Sequence, residues 1–354
     1  MKIAYLIPRL HDTGLCRVPA WLAEYLAATE TVKIFYLDDT PVDWPSLTVT
    51  VPTQKIPFAP FWEELQEYDV IHSHGLKPYA YVAFYRRRLP GVKISTLHGY
   101  HISELSFMKN PVYGWLWGNL WDFCCNQCDA VVCLTHTMAQ YYQRRLPATR
   151  ITHIYNGIDF SRLPRSSPQR DPTDQRLKLV TVSSLNRRKG VEQLVRLLTF
   201  DRRYYLTAIG GDTEAIARLT ALAEDLGVAS QCQFLGFTPY PWEQAMENDV
   251  FLFPSYSEGL GLALVEAAYL GLPIICSDIP TFREMFSEAE VSFFPLDQIE
   301  TLHHCVSQWP SYRDKIPQAQ AKVQTQFSLA TMGDRYLHLY RQLVNALNIN
   351  PDVI

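Results

Sequence analysis

Glu258 and Glu266, with seven residues between them, flank a glycine turn and the start of a helical pattern in FPSYSEGLGLALVEAAYLGLP at 253–273. The stretch reads as strand (Val250–Phe253), loop, helix (Leu262–Leu270) and strand (Pro273–Ser277). Pro254 ends the first apolar run, and Gly271 and Pro273 close the helix. The first N–H groups of such a helix lack partners and carry partial positive charge, which suits a phosphate. Gly259 and Gly261 have no Cβ, so a ligand can approach the backbone closely. Carboxylates repel a diphosphate, so the two acids are better suited to accept hydrogen bonds from ribose or sugar hydroxyls. A capped amphipathic helix with exposed acids accounts for the same residues equally well.

Other candidates sit at comparable places. Arg188 and Lys189 lie in SSLNRRKG (183–190), a polar loop between the strand Leu177–Val182 and the helix Val191–Leu198. Cations at a strand end could hold a phosphate, and as plain surface charges they would be unremarkable. His98 opens HGYH (98–101) after the strand Val92–Leu97, and DVIHSHG (69–75) ends another strand in histidines. A histidine there is more often a hydrogen-bonded structural group. Because several such loops converge on one sheet edge, site and scaffold carry equal weight for His98. Gly14 lies in the polar loop after the strand Ile3–Ile7, and a single glycine there is no dinucleotide fingerprint.

These residues need a scaffold of alternating strands and helices. In the first half, further strands are expected at Val32–Leu37, Leu47–Val51, Ala130–Leu134 and Ile151–Tyr155. A helix is expected over Met138–Arg145. Residues 103–128 are aromatic and helical in character, rich in Trp, Tyr and Phe, with Arg86, Arg87 and Arg88 nearby. Such a segment fits a helical hairpin covering the sheet and the cleft, or one that dips into a membrane interface. Ser161–Arg176, full of Pro, Arg, Ser and Asp, reads as a linker. A second series follows, with strands at Leu177–Val182, Tyr204–Ile209, Gln233–Leu235, Val250–Phe253 and Pro273–Ser277. Its helices are expected at Glu214–Leu226, Pro241–Glu247 and Ile299–Trp309, and a last amphipathic helix at Ser328–Leu347. The alternation predicts an α/β chain of two doubly wound domains facing across a cleft.

Composition excludes several classes. The 354 residues are 47% hydrophobic, enough for two large cores. A net charge of −4 is no nucleic-acid signature, and splitting the chain at 165 leaves halves of +2 and −6, a mild asymmetry. MKIAYLIPRL lacks the apolar core of a signal peptide, and no apolar run is long enough to span a bilayer, so a cytoplasmic location is expected. Cys124, Cys125, Cys128 and Cys133 crowd together without zinc-ribbon or zinc-finger spacing, and read as reduced thiols on a helix and the following strand.

Six segments, taken in order, carry a resemblance: DVIHSHG (69–75), TLHG (96–99), NGID (156–159), RKG (188–190), QFLGF (233–237) and the Glu258-x7-Glu266 stretch. Together with the closing FSLATMGDRYLHLYRQL they resemble family 4 of the retaining glycosyltransferases, which have the GT-B fold. The resemblance covers nearly the whole chain. It implies two Rossmann-like domains: residues 1–163 on the acceptor side, 176–327 binding the nucleotide sugar, and a C-terminal helix at 328–354 returning to the first domain. It implies a nucleotide-sugar donor, with UDP as the expected nucleotide, and no other cofactor or metal. Glu266 would hold the ribose hydroxyls and Glu258 those of the transferred sugar. The N–H groups of Leu260, Gly261 and Leu262 would meet the diphosphate or sugar, and Lys189 would neutralise the leaving diphosphate. Gly210 and Phe237 would lie near base and phosphates, the Gly14 loop would close over the donor, and His98 would contact the sugar near the reacting carbon.

Two positions depart from the family pattern. Ser183-Ser184 replaces the usual Gly-Arg, so one phosphate-binding arginine is missing unless Arg187 or Arg188 substitutes, and the first loop has Leu15 after its glycine. The expected activity is transfer of a hexose-type sugar, with retention, to a saccharide, lipid-linked or small-molecule acceptor in polysaccharide or glycoconjugate biosynthesis. Peripheral membrane contact through the first domain goes with a lipid-linked acceptor. The alternatives are a glycosidase using the two glutamates, a sugar-nucleotide epimerase on the same fold, and a catalytically weak nucleotide-sugar-binding subunit.

Overall fold

A computed structural model describes residues 1–41, 45–60, 62–164 and 174–349. The first series of elements is β1 (Lys2–Ile7), α1 (Gly14–Leu26), β2 (Thr31–Tyr36), β3 (Thr53–Lys55), β4 (Val70–His74), α2 (Leu76–Tyr85), β5 (Val92–Leu97), α3 (His101–Met108), α4 (Pro111–Cys125), β6 (Ala130–Cys133), α5 (His136–Gln143) and β7 (Arg150–His153). The second is β8 (Leu177–Val182), α6 (Glu192–Leu197), β9 (Tyr204–Ile209), α7 (Thr213–Asp225), β10 (Cys232–Phe234), α8 (Pro241–Ala245), β11 (Val250–Phe253), α9 (Leu262–Leu270), β12 (Ile274–Ser277), α10 (Pro280–Met285), β13 (Ser292–Phe294), α11 (Ile299–Ser307), α12 (Ile316–Gln326) and α13 (Leu329–Ile349).

Two compact units result. Unit 1 comprises Met1–Asp159 and the chain from Gln326 onward, and unit 2 comprises Phe160–Thr325. Among the described residues, unit 1 holds a seven-stranded sheet ordered β3-β2-β1-β4-β5-β6-β7 and unit 2 a six-stranded sheet ordered β10-β9-β8-β11-β12-β13. Every strand pair is parallel. Helices cover both faces of such sheets, which is why β1, β11 and β12 are almost continuously apolar and buried rather than alternating. In both sheets the order reverses at one point, between β1 and β4 and between β8 and β11. Crevices open there at the strands' C-terminal ends.

The last helix belongs to unit 1. Ile158 and Leu329 exchange backbone hydrogen bonds with Phe327 and Ile158 across the returning chain, and Tyr25 of α1 donates to Asp334 of α13 at 3.0 Å. Two tyrosines of α13 then enter the strand layer. Tyr340 Oη lies 2.6 Å from His72 Nδ1 and 2.9 Å from Tyr5 Oη, while Tyr336 Oη lies 2.8 Å from Thr96 Oγ1, which itself meets His72 Nε2 at 2.8 Å. All five side chains are buried, so each polar atom depends on the next for a partner.

Some elements differ from the sequence expectation. The edge strand is Thr53–Lys55 instead of Leu47–Val51, because Leu47 N donates to Leu10 O and ties that segment to the loop after β1. The expected linker includes 165–173, outside the described residues. Its first residues already belong to unit 2, where Phe160 stacks on Tyr269 with centroids 4.2 Å apart. Helix α2 gave no periodic signal because LKPYAYVAFY is apolar nearly throughout, and α12 because IPQAQAKVQTQ buries only Ala319 and Val323. Tyr340→Phe should lower stability by about 1–3 kcal/mol, since it leaves His72 and Tyr5 short of a buried partner. Urea denaturation measures this, and a loss below about 0.5 kcal/mol, as at an ordinary surface position, would show that the network contributes little.

Candidate active site

In unit 2 the loop after β8 (183–190) and the loop after β11 (254–261) stand side by side at the reversal point. They pack in direct backbone contact. Gly190 is left-handed (φ +63°), and a Cβ there would lie 2.2 Å from Pro254 O. Tyr256 N donates to Arg188 O at 2.9 Å, and Gln193 Nε2 to Pro254 O at 3.2 Å. The loop from β8 also holds Leu185 buried at φ +53°, a conformation that costs a non-glycine residue about 1–2 kcal/mol. Arg218 of α7, which pairs with Glu192, donates to Leu185 O at 2.7 Å and braces this turn.

Glu258 sits where the loops meet, only 6% exposed. Lys189 Nζ lies 2.5 Å from its Oε1 and Arg188 Nη1 3.2 Å from its Oε2, while Arg188 also donates to Ser257 O. Burial alone would raise the Glu258 pKa, but the charges of Lys189 and then Arg188 outweigh it and hold the carboxyl at about 2. Glu258 is therefore a carboxylate at neutral pH. Lys189 Nζ also lies 5.2 Å from the Phe253 ring centroid. Thr281 Oγ1 donates to Glu258 O at 2.9 Å and Ser277 Oγ to Ser255 O at 2.6 Å, fixing the loop from below.

Helix α9 starts directly after this cluster. Gly261 caps it in a left-handed conformation (φ +94°) and brings no side chain to its first amides. Leu260 is buried, Leu262 half-buried, and Glu266 lies on the buried part of the helix. At the neighbouring strand ends, Gly210 N donates to Gly236 O at 2.7 Å, and the next residue, Phe237, leaves its ring 52% exposed.

Unit 1 gathers a second set. Gly14 is the first residue of α1, after a loop in which Asp12 pairs with Arg17 at 2.6 Å. His98 follows β5 and is half-buried, its Nε2 2.9 Å from Nδ1 of the buried His74. Burial, and then the nearby His101, bring the His98 pKa down to about 4. His101 is a scaffold group, its Nδ1 2.9 Å from Asp122, which Arg145 also holds.

Two family models divide the chain between them. One, described as Glycosyltransferase Family 4, matches residues 29–162, and the other, Glycosyl transferases group 1, matches 164–317. The chain is a glycosyltransferase. The O-antigen biosynthesis glycosyltransferase WclY of Escherichia coli is 28% identical over 355 residues, spanning 97% of this chain and 99% of its own. Among solved structures, sucrose-phosphate synthase from Thermosynechococcus elongatus matches with a TM-score of 0.82 at 19% identity, covering 98% of this chain and 100% of that one. Anabaena HepE in complex with UDP-glucose matches at 0.80 with 16% identity, covering 97% and 100%. At such identities the likeness speaks for the fold, which is GT-B.

In this glycosyltransferase, Arg188, Lys189, Glu258, Leu260, Gly261, Leu262 and Glu266 lie along one crevice edge of unit 2, with Gly210 and Phe237 at the adjoining strand ends. Gly14 and His98 lie at the corresponding edge of unit 1. Of the two arginines weighed as substitutes at the Ser184 position, Arg188 turns toward Glu258 and Arg187 is exposed. The sequence reading missed Gln193, which also accepts from Asp297 N at 2.9 Å, and missed Thr281 and Arg218. Only Gln193 left a signal, as a polar residue within the apolar run VEQLVRLL. The four crowded cysteines are free, and Cys124, Cys125, Cys128 and Cys133 are buried thiols with raised pKa values. Among the described residues no group of three or more His, Cys, Asp or Glu could hold a metal, and no helix is long and apolar enough to cross a membrane.

Three histidines of unit 1 give the protein a pH dependence. Burial holds His72 and His74 well below the ordinary value of 6.5, and His98 near 4. They stay neutral when folded, while the unfolded chain binds protons below 6.5. Stability is therefore full above that pH and falls as pH drops below it, by about 1.4 kcal/mol per pH unit for each histidine. Urea midpoints measured between pH 7.5 and 5 should decline. A flat profile would contradict the buried neutral histidines.

Proposed function

We propose that the chain is a retaining hexosyltransferase that moves a sugar from a UDP-sugar to a saccharide or lipid-linked acceptor in polysaccharide assembly, without a metal. The observation that carries this is the ionised Glu258 clamped between Lys189 and Arg188 at the start of α9. A diphosphate leaves readily once its charge is offset, so electrostatic stabilisation supplies most of the catalysis. Lys189, Arg188 and the first amides of α9 form a positive edge for it, with Arg188 supplying the guanidinium that Ser184 does not. On donor binding, Lys189 turns from Glu258 to the diphosphate, and Glu258 accepts hydrogen bonds from sugar hydroxyls. Glu266 takes the ribose hydroxyls, Phe237 lies by the base, and His98 contacts the sugar.

Retention follows if the acceptor enters on the face from which the diphosphate departs and a donor phosphate oxygen takes its proton; no protein nucleophile is needed. A glycosidase would need one carboxyl raised to act as the acid, and Glu258 is driven the opposite way. The relative WclY, named for O-antigen biosynthesis, and the UDP-glucose complex of HepE support the choice of pathway type and donor. Glu258→Gln and Lys189→Ala should each lose transfer by about a hundredfold or more. UDP release measures the rate, and proton NMR of the product's anomeric centre reads the stereochemistry. Near-normal turnover of either folded variant would overturn the site, and an inverted product the mechanism.

The proposal includes contact with an anionic bilayer through unit 1. On α4, Val112, Trp115, Leu116, Leu120 and Phe123 form one exposed apolar strip, Val112 and Trp115 being 76% and 63% exposed. Met108 at the end of α3 and Phe84 near the end of α2 are exposed as well, and Arg86, Arg87 and Arg88 follow after the buried Tyr85. Large exposed apolar patches mark interaction surfaces, and arginines beside one favour anionic lipid by about 1 kcal/mol each. The protein should co-sediment with phosphatidylglycerol-containing vesicles and lose this with Trp115→Ser/Phe123→Ser. A change in oligomeric state without vesicle binding would assign the strip to self-association instead.

A further inference from the structure

We infer that His74 is a positioning residue that fixes which nitrogen of His98 carries the proton, so that His98 offers its ligand an N–H donor at Nδ1. The assignment builds on the proposed contact between His98 and the sugar. Both rings are buried enough to stay neutral near pH 7, so each carries one N–H. Their 2.9 Å contact between His74 Nδ1 and His98 Nε2 holds a single proton, and two arrangements are possible. If His98 donated from Nε2, His74 would carry its own proton on Nε2. That atom is buried and has no hydrogen-bond partner. His72, the ring packed nearest at a centroid distance of 4.2 Å, has both nitrogens engaged by Tyr340 and Thr96.

An orphaned buried N–H is rarer in folded proteins than an acceptor short of a partner. The proton therefore sits on His74 Nδ1 and is donated to His98 Nε2, leaving His74 Nε2 as a bare lone pair. His98 must then be protonated at Nδ1. It acts as a donor toward an oxygen of the ligand (a hydroxyl, the ring oxygen or a phosphoryl oxygen) and cannot serve there as a base. The chain of contacts behind it reaches α13 through His72 and Tyr340, so the ring that steers His98 is held by the last helix of the same unit.

Histidine-selective nitrogen-15 NMR of the intact protein decides the tautomer, with the His98 signals identified by their loss in His98→Gln. An unprotonated Nε2 and a protonated Nδ1 are expected, and a protonated Nε2 in the wild type overturns the inference whether or not the enzyme transfers sugar. His74→Leu should release the tautomer preference and lower kcat/KM about tenfold, as for one hydrogen bond. His74→Gln, whose amide can still donate to His98, should restore most of it. Unchanged activity of folded His74→Leu, or no recovery in His74→Gln, would leave His74 without a positioning role.

Discussion

The buried charge cluster of Lys189, Arg188 and Glu258 is the constraint on which the rest of unit 2 depends. Taking charges out of water costs several kcal/mol per ion unless partners and hydrogen bonds compensate. Here two cations meet one carboxylate at the reversal point of the sheet. Holding the cluster requires the loops after β8 and β11 to touch. The backbone contact at Gly190, the strained turn at Leu185 and the bracing by Arg218 and Gln193 all serve that requirement. The strained turn at Leu185 lies in the same loop as Arg188 and Lys189, three residues before the first of them.

Unit 1 solves a different problem. Its central strands carry Tyr5, His72, His74 and Thr96 where an α/β sheet would ordinarily bury aliphatic groups. Tyr336 and Tyr340 of α13 give Tyr5, His72 and Thr96 their buried partners, whereas His74 meets His98 at Nδ1. A helix from the far end of the sequence thus becomes part of the first sheet's core. This ties the order of the β4 and β5 ends, and with it His98, to the packing of the middle of α13.

The strands that carry the site were legible in the sequence because parallel strands buried on both faces leave apolar runs bounded by glycine and proline. Val92–Leu97, Tyr204–Ile209, Val250–Phe253 and the helix Leu262–Leu270 stand as expected from that logic. So was the grouping of Glu258 with the loop at 183–190, although only through a resemblance spanning the chain, since neither segment alone distinguishes a site from a capped surface helix. What could not be read was the partner of each group. Nothing in the spacing ties Lys189 to Glu258 across 69 residues, or His72 to Tyr340 across 268. Such pairings are made by sheet order, and sheet order is a long-range property. The missed α2, too uniformly apolar, and the misplaced strand near Leu47 fail for the local reason that period alone cannot choose between structures.

The α3–α4 hairpin has two unlike faces. Its inner face packs α4 on α3: at Gly114 and Gly118 the helices lie so close that any Cβ would meet Ser106 or Ile102 of α3 within 2.6 Å. Its outer face is apolar where a solvated helix carries charge, and α4 contains a single charged residue, Asp122, which is turned inward to His101 and Arg145. Packing on α3 and the pairing with His101 and Arg145 therefore account for the glycines and the aspartate but not for Trp115, Leu116 or Phe123. Those side chains stay exposed, and a contiguous exposed apolar strip is the mark of an interaction surface. With a basic triplet at the end of α2, the proposed anionic lipid surface would match both the apolar strip and the charge, whereas a second protein would have to bring its own acids.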